Sequence, residues 1–205
     1  MINSCSSGEK ELCTIKVDFF KAFDCVNWSF LLSLLKARGF SPRWYHWISH
    51  ILSSSKSIVL VNGSPSSFFQ CHRGLKQGDP LSPMLFLLVV DVLNKMISAS
   101  FSAGDLPNLN LKGEFNSIRS LQFADDTLIF CKADNKDIFT LKSILFMFGS
   151  ISGLHINPSK STLFYLGKVP SRGVHLANKL NCSNGSLPFF YLGFPLKKDS
   201  LSRRE

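Results

Sequence analysis

Cysteine pairing of any recognisable kind is missing. Cys5, Cys13, Cys25, Cys71, Cys131 and Cys182 lie scattered, with no CxxC and no tight framework. This argues against a disulfide scaffold or a zinc module and for free thiols in a reducing compartment. The opening MINSCSSGEKEL lacks the apolar stretch of a signal peptide. The longest apolar run, Met84–Val90, stops at Asp91, far short of the roughly 20 residues of a membrane span. The expectation is an intracellular chain that is neither secreted nor membrane-bound. Internal repeats and low-complexity tracts are absent too, which removes solenoids and linker-type chains. Charge is scarce, at 18% against roughly 25% for an ordinary soluble domain, which hints at surfaces normally covered by something else. The charge that exists is lopsided: 23 basic against 14 acidic residues, a net +9, which favours polyanionic partners such as nucleic acid.

What the chain does have is core material. Hydrophobic residues make up 45% of 205 positions, with 19 Phe, enough for one full domain or one domain with a tail. Residues 12–19 alternate, Cys13, Ile15, Val17 and Phe19 one way and Thr14, Lys16 and Asp18 the other. That pattern predicts a strand with Asp18 at its C-terminal end on the open face. Trp28, Leu31, Leu32 and Leu35 keep helical spacing up to Gly39, and Ser41-Pro42 reads as the start of a second helix through about Leu52. Ile58 to Phe69 reads as a hairpin around Asn62-Gly63-Ser64-Pro65. A Gly-containing loop leads into a long apolar helix from about Leu81 to Ile97, and 99–117 reads as a loop or irregular hairpin. LQFADDTLIF predicts a tight hairpin. Asp134 is a helix cap before Ile138, Leu141, Leu145 and Phe148, with Gly149 as the stop, and short strands follow near Leu154–Asn157 and Thr162–Leu166. The order predicts an α+β fold, an antiparallel sheet with helices on one face and the aspartates on the other.

Asp18, Asp125 and Asp126 sit at a strand end and in a turn. Singly, each reads as a turn or capping residue. Together the setting is different, because Phe123-Ala124 and Leu128-Ile129-Phe130 pin two adjacent negative charges beside a core. Adjacent carboxylates repel unless a cation neutralises them, and hard divalent cations suit phosphoryl chemistry on polyanions.

VDFFKAFDCVNW (17–28), GLKQGDPLSPMLF (74–86), FADDTLIF (123–130), GLHINPSKS (153–161) and YLGFPL (191–196) occur in that order. The five closely resemble motifs of reverse transcriptases from non-LTR (long interspersed element) retrotransposons, particularly those of plants, across about residues 12–196. The resemblance implies a polymerase palm. Asp18 and Asp125 would be the principal ligands of two Mg²⁺ ions (Mn²⁺ being a substitute), with Asp126 as a supporting acid and the Phe19 carbonyl completing the shell. Phe23 would lie beneath the incoming sugar and exclude a 2′-OH, although a plain core Phe is the competing account. Gln77 and Gly78 would meet the incoming nucleotide or templating base. Arg73 and Lys76 would reach phosphates, or serve only as solubilising charges. Lys160 would protonate pyrophosphate, unless it is a mere surface lysine. Tyr191, Leu192 and Gly193 resemble the hairpin that grips the primer terminus, and Lys197, Lys198, Arg203 and Arg204 would meet the nucleic-acid backbone.

The implied partners are an RNA template, a DNA primer and deoxynucleoside triphosphates, and the implied location is the nucleus. The organisation read from the sequence is a tail at 1–11, a palm at 12–168, a linker at 169–186, and a primer-grip-like hairpin with a basic tail at 187–205. Fingers and thumb are largely missing, which implies a parent polyprotein. The alternative is a catalytically inactive truncated remnant, at most a basic nucleic-acid-binding module. Rival constellations are weaker: His46 and His50 share the spacing of a helical zinc site but lack the Glu of HExxH and a third ligand.

Overall fold

The computed structural model describes residues 11–109 and 118–197. In chain order the elements are β1 (Leu12–Val17), α1 (Ala22–Cys25), α2 (Trp28–Ala37), α3 (Pro42–Ser53), β2 (Lys56–Ser57), β3 (Leu60–Val61), β4 (Ser64–Pro65), β5 (Phe69–Gln70) and α4 (Ser82–Ser102). There follow β6 (Ser120–Phe123), β7 (Asp126–Lys132), α5 (Asn135–Ser152), β8 (Thr162–Leu166), α6 (Pro170–Leu180), β9 (Ser183–Gly185), β10 (Phe189–Tyr191) and β11 (Phe194–Leu196). The described residues divide into two compact units, the first comprising 11–19, 93–109, 118–146 and 156–197, the second 20–92 and 147–155.

The first unit is built on a five-stranded sheet of order β6-β7-β1-β8-β9. All neighbours are antiparallel except β8 and β9, which run parallel. Strand β1 is central and wholly apolar on one face: Cys13, Ile15 and Val17 are buried to 1% exposure or less. Helices lie against that face. Asn94 of α4 hydrogen-bonds Ser120 and Gln122 of β6. Gly173 lets α6 approach Tyr165, where a β-carbon would meet the Tyr165 Cβ at 2.8 Å.

The opposite face was expected to stay open, and here the structure differs. Leu12, Leu128, Phe130, Phe164 and Leu166 form a second core with Phe189 of the C-terminal hairpin, and Phe164 and Phe189 stack at 3.8 Å. Each such buried Leu or Phe stabilises by roughly 1.5–3 kcal/mol. At one end of this face Lys16 and Asp18 are only half-buried, and at the other so is Lys132. Residues 169–186, read as a linker, instead form α6 and β9. The helix starts on Pro170, buries Leu176, Ala177 and Leu180, and ends on Asn181 in the left-handed conformation.

In the second unit the cap read at Ser41 holds, and Asn27 adds one that the sequence reading did not name. The Asn27 side chain accepts from the Phe30 N–H and the Ser41 hydroxyl from the Trp44 N–H. The hairpin splits into two short pairs, β2 with β5 and β3 with β4. Helix α4 runs five residues beyond its expected end, at 21 residues, and by length and composition alone could cross a membrane. Its buried residues Leu85, Phe86, Val89, Val90, Leu93 and Ile97 recur at helical spacing, the stripe of a core helix. Asp134 caps α5 as expected, donated to by the Asp137 N–H at 2.8 Å, but the helix passes Gly149 and stops at Gly153, φ +81°.

Candidate active site

The sheet of the first unit determines where the acids lie. Strands β1 and β7 pair Val17 with Thr127 and Lys16 with Leu128. The ladder ends there, and Asp18 and Asp126 are the next residues beyond its last pair. By alternation Asp126 lies on the face of Leu128, where the Lys16 side chain meets it. Asp125 comes next to it because β6 and β7 are joined by the two-residue turn Ala124-Asp125, closed by the pair Phe123–Asp126. Ala124 adopts φ +52°, a left-handed conformation that costs an alanine about 1–2 kcal/mol. Strain of this kind persists where the surroundings over-determine it.

Asp18 is held by its backbone. Its N–H donates to the Ser161 hydroxyl at 3.0 Å, and its carbonyl accepts the Asn157 N–H at 2.8 Å. Both partners come from the GLHINPSKS segment. The same segment carries Lys160 in an exposed turn, whose N–H donates to the Asn157 carbonyl at 3.2 Å. Thus Lys160 and Asp18 are tied to one loop. Phe19 is buried at 6% exposure and bridges Ile156.

The three aspartates do not gather into one ligand cluster as the resemblance implied. Among the described residues no group of three His, Cys, Asp or Glu side chains converges. The Asp126 carboxylate pairs instead with Lys16 Nζ at 3.7 Å. Asp125 stands exposed at the tip of the turn. The donors are still the hard carboxylate oxygens that Mg²⁺ takes.

The C-terminal hairpin reaches this site. Tyr191 donates its hydroxyl to the Asp126 carbonyl at 3.4 Å, so it is engaged with the acidic turn. Burial first, then the neighbouring Asp126 charge, pushes the phenol upward, which keeps it a donor. Leu192 and Gly193 form the hairpin's own turn at φ +52° and +81°. Lys198, Arg203 and Arg204 lie outside the described residues.

The remaining candidates fall in the second unit. Phe23 stacks on Phe86 of α4 at 4.5 Å and 16°, and its carbonyl accepts the Leu75 N–H at 2.7 Å. Gly74, at φ +88°, is where the 73–79 loop passes closest, since a β-carbon there would meet the Asp24 carbonyl oxygen at 2.6 Å. The Trp28 indole N–H donates to the Gly74 carbonyl at 2.6 Å. Asp79 closes the loop by accepting the Leu81 and Ser82 N–H groups at the start of α4. Arg73, Lys76 and Gln77 share a cleft of 1080 Å³ with Lys21 and Lys56, while neither Phe23 nor Gly78 lines it. His46 and His50 are exposed on α3, and His46 sits edge-on to Tyr45, as helix-face residues do.

Sequence reasoning missed Lys16, Ser161, Asn157, Gln122 and Asn94. Two of these, Asn157 and Ser161, stand inside a motif it had used for Lys160.

The geometry agrees with what comparison finds. The model of the family "Reverse transcriptase (RNA-dependent DNA polymerase)" matches residues 2–196. An uncharacterized mitochondrial protein of Arabidopsis thaliana is 36% identical over 117 residues, 55% of this chain and 92% of that protein. A retrovirus-related Pol polyprotein from the type-1 retrotransposable element R2 of Popillia japonica is 28% identical over 162 residues, covering 78% of this chain. Of that polyprotein's length the chain spans 25%, and of the transposon TX1 149 kDa protein of Xenopus laevis, 26% identical, 11%. Among solved structures, the apo telomerase of Candida tropicalis, truncated from its C-terminal domain, superposes with a TM-score of 0.57. That likeness, at 16% identity over 80% of this chain and 32% of the other, concerns the fold. It fits a palm-like α+β architecture. With the family model covering nearly its whole length, the chain belongs to the reverse transcriptase (RNA-dependent DNA polymerase) family, of the non-LTR retrotransposon type.

Proposed function

We propose that this chain is the palm of an RNA-directed DNA polymerase that extends a DNA primer on an RNA template with deoxynucleoside triphosphates. The observation that supports this reading is the β1–β7 register, whose last pair, Val17–Thr127, is followed directly by Asp18 on one strand and preceded by Asp126 on the other, with Asp125 on the adjoining strained turn. Reverse transcriptases use divalent metal ions, and Asp18 and Asp125, with Asp126 in support, are the residues that would hold them. Bound Mg²⁺ would acidify the primer 3′-OH and steady the triphosphate and departing pyrophosphate.

The chain's own residues have narrower tasks. The Asn157 and Ser161 contacts fix the Asp18 backbone, so the carboxylate is aimed before substrate arrives. Lys160, on the same loop, supplies a proton to the leaving pyrophosphate. Phe23, its ring packed on Phe86, is the gate against a ribose 2′-OH. Lys21, Arg73 and Lys76 offer a phosphate chain three cations along one cleft.

One observation favours a second reading, a catalytically inactive chain that only binds nucleic acid: Asp126 is already paired with Lys16. Primer extension by the whole chain on poly-rA/oligo-dT separates the two. Incorporation that needs Mg²⁺ or Mn²⁺ and vanishes in Asp125→Asn supports the polymerase. No incorporation alongside retained RNA binding overturns it in favour of the second reading, and incorporation undiminished in Asp125→Asn overturns the assignment of the acids.

A further inference from the structure

The backbone carbonyls on either side of Asp125 are each taken by a side chain from another residue of the first unit. Gln122 Nε2 donates to the Ala124 carbonyl at 3.3 Å. Tyr191 donates to the Asp126 carbonyl at 3.4 Å. Gln122 is itself fixed, because Asn94 Nδ2 donates to its Oε1 at 3.0 Å and Ser120 Oγ donates to Asn94 Oδ1 at 2.8 Å. The result is a directed chain from Ser120 through Asn94 and Gln122 to the Ala124 carbonyl, each bond polarising the next.

The register explains how the turn is reached from both sides. Ser120 and Gln122, two apart on β6, pair with Ile129 and Thr127 and so share their face, where α4 brings Asn94. Tyr191 arrives on the other face, with Leu128 and Phe130. Ala124 gains nothing from its own side chain in the left-handed conformation, so the grip must come from outside the turn.

We propose that Asn94, Gln122 and Tyr191 are positioning residues that clamp the Ala124–Asp126 turn from opposite faces of the sheet and so aim Asp125. This rests on the reading of the aspartates as catalytic acids. Tyr191 thereby couples the C-terminal hairpin to the acidic turn, so that disturbing the hairpin loosens the acids.

The test compares the full wild-type chain with Gln122→Leu, Tyr191→Phe and Asn94→Asp. Amide hydrogen exchange by NMR should rise about tenfold at residues 124–127 in the first two variants, with β1 and β8 amides unmoved. Asn94→Asp, which cannot donate to Gln122 Oε1, should give a smaller rise at the same residues. Mn²⁺ affinity, read by electron paramagnetic resonance, should weaken roughly tenfold, the low end for groups that orient metal ligands. In primer extension kcat should fall while the nucleotide KM stays put.

Exchange unchanged at the turn, or raised uniformly over the sheet, overturns the clamp. If wild type binds Mn²⁺ and extends primers and the variants match it in both, this proposal alone fails. If wild type does neither, the catalytic reading of the acids fails and takes the aiming role with it.

Discussion

Among the described residues three hairpins close on two-residue turns, and they solve the same problem with different residues. Asn62-Gly63, between β3 and β4, has both residues at positive φ (+50° and +82°) and the residue types such a turn favours. Leu192-Gly193, between β10 and β11, repeats those angles with a leucine in first place. Ala124-Asp125 has positive φ only at Ala124, a turn of the kind that favours glycine first, and supplies neither glycine nor asparagine. At Asn62-Gly63, where the turn only reverses the chain, local chemistry is satisfied. Where a turn presents an acid, side chains from elsewhere must hold it.

The sharpest way to break that contrast is to separate presentation from folding. Asp125→Asn keeps the turn's shape and removes the charge. Primer extension should fall by roughly 10³-fold, the upper scale for losing one charge-stabilising group. The melting temperature should stay within about 2 °C, since an exposed turn substitution moves stability little. A large loss of stability with activity preserved would put Asp125 with the turns that only fold.

Asp137 is the opposite kind of acid, and the next largest effect falls there. It is buried at 1% exposure, with one carboxylate oxygen accepting the Lys132 N–H and the other unpartnered among the described residues. Burial, then the nearby Asp134, raises its pKa to about 6, against the partial relief of the Lys132 bond and charge. A carboxyl that titrates higher folded than unfolded stabilises the fold while protonated. Its contribution is therefore full below about pH 4 and is lost as pH rises through 6. Asp137→Asn should stabilise the chain by roughly 2 kcal/mol at pH 7.5 and by nothing at pH 4. Urea titrations at the two pH values check this, and equal shifts at both would show that the effect is not one of ionisation.

How much of this was legible beforehand depends on distance along the chain. The alternation in β1 and the caps Ser41 and Asp134 are local signals, and they read correctly. The order of five motifs was enough to place the chain in its family. Periodicity, however, says which residues share a face and not what covers it, so the hairpin over Leu128 and Phe164 went unseen. Helix α6 was hidden by its polar surface and Gly173, although Pro170 and the Leu176–Ala177–Leu180 stripe marked it. The Asn94–Gln122 bond joins positions 28 apart through the packing of a helix on a strand, which no local pattern encodes.

Ala124→Gly tests the strain directly. Glycine relieves the left-handed penalty of about 1–2 kcal/mol but loses roughly 0.5–1 kcal/mol to its own freedom. The net gain should be about 0.5 kcal/mol in a urea titration. Activity should fall severalfold, because the freed turn no longer holds Asp125 in one place. A gain in both would mean the strain serves nothing.

The smallest effect belongs to the C-terminal turn. Leu192 carries a left-handed φ in a turn that favours asparagine, and it is 43% exposed, so little packing is at stake. Leu192→Asn should match the Asn62-Gly63 turn and add a few tenths to about 1 kcal/mol of stability. Because the hairpin carries Tyr191, a firmer turn should also slow exchange at the Asp126 amide without touching the acids themselves. Loss of stability would show that Leu192 earns its place by contact rather than conformation, and the parallel between the two glycine-bearing turns would end there.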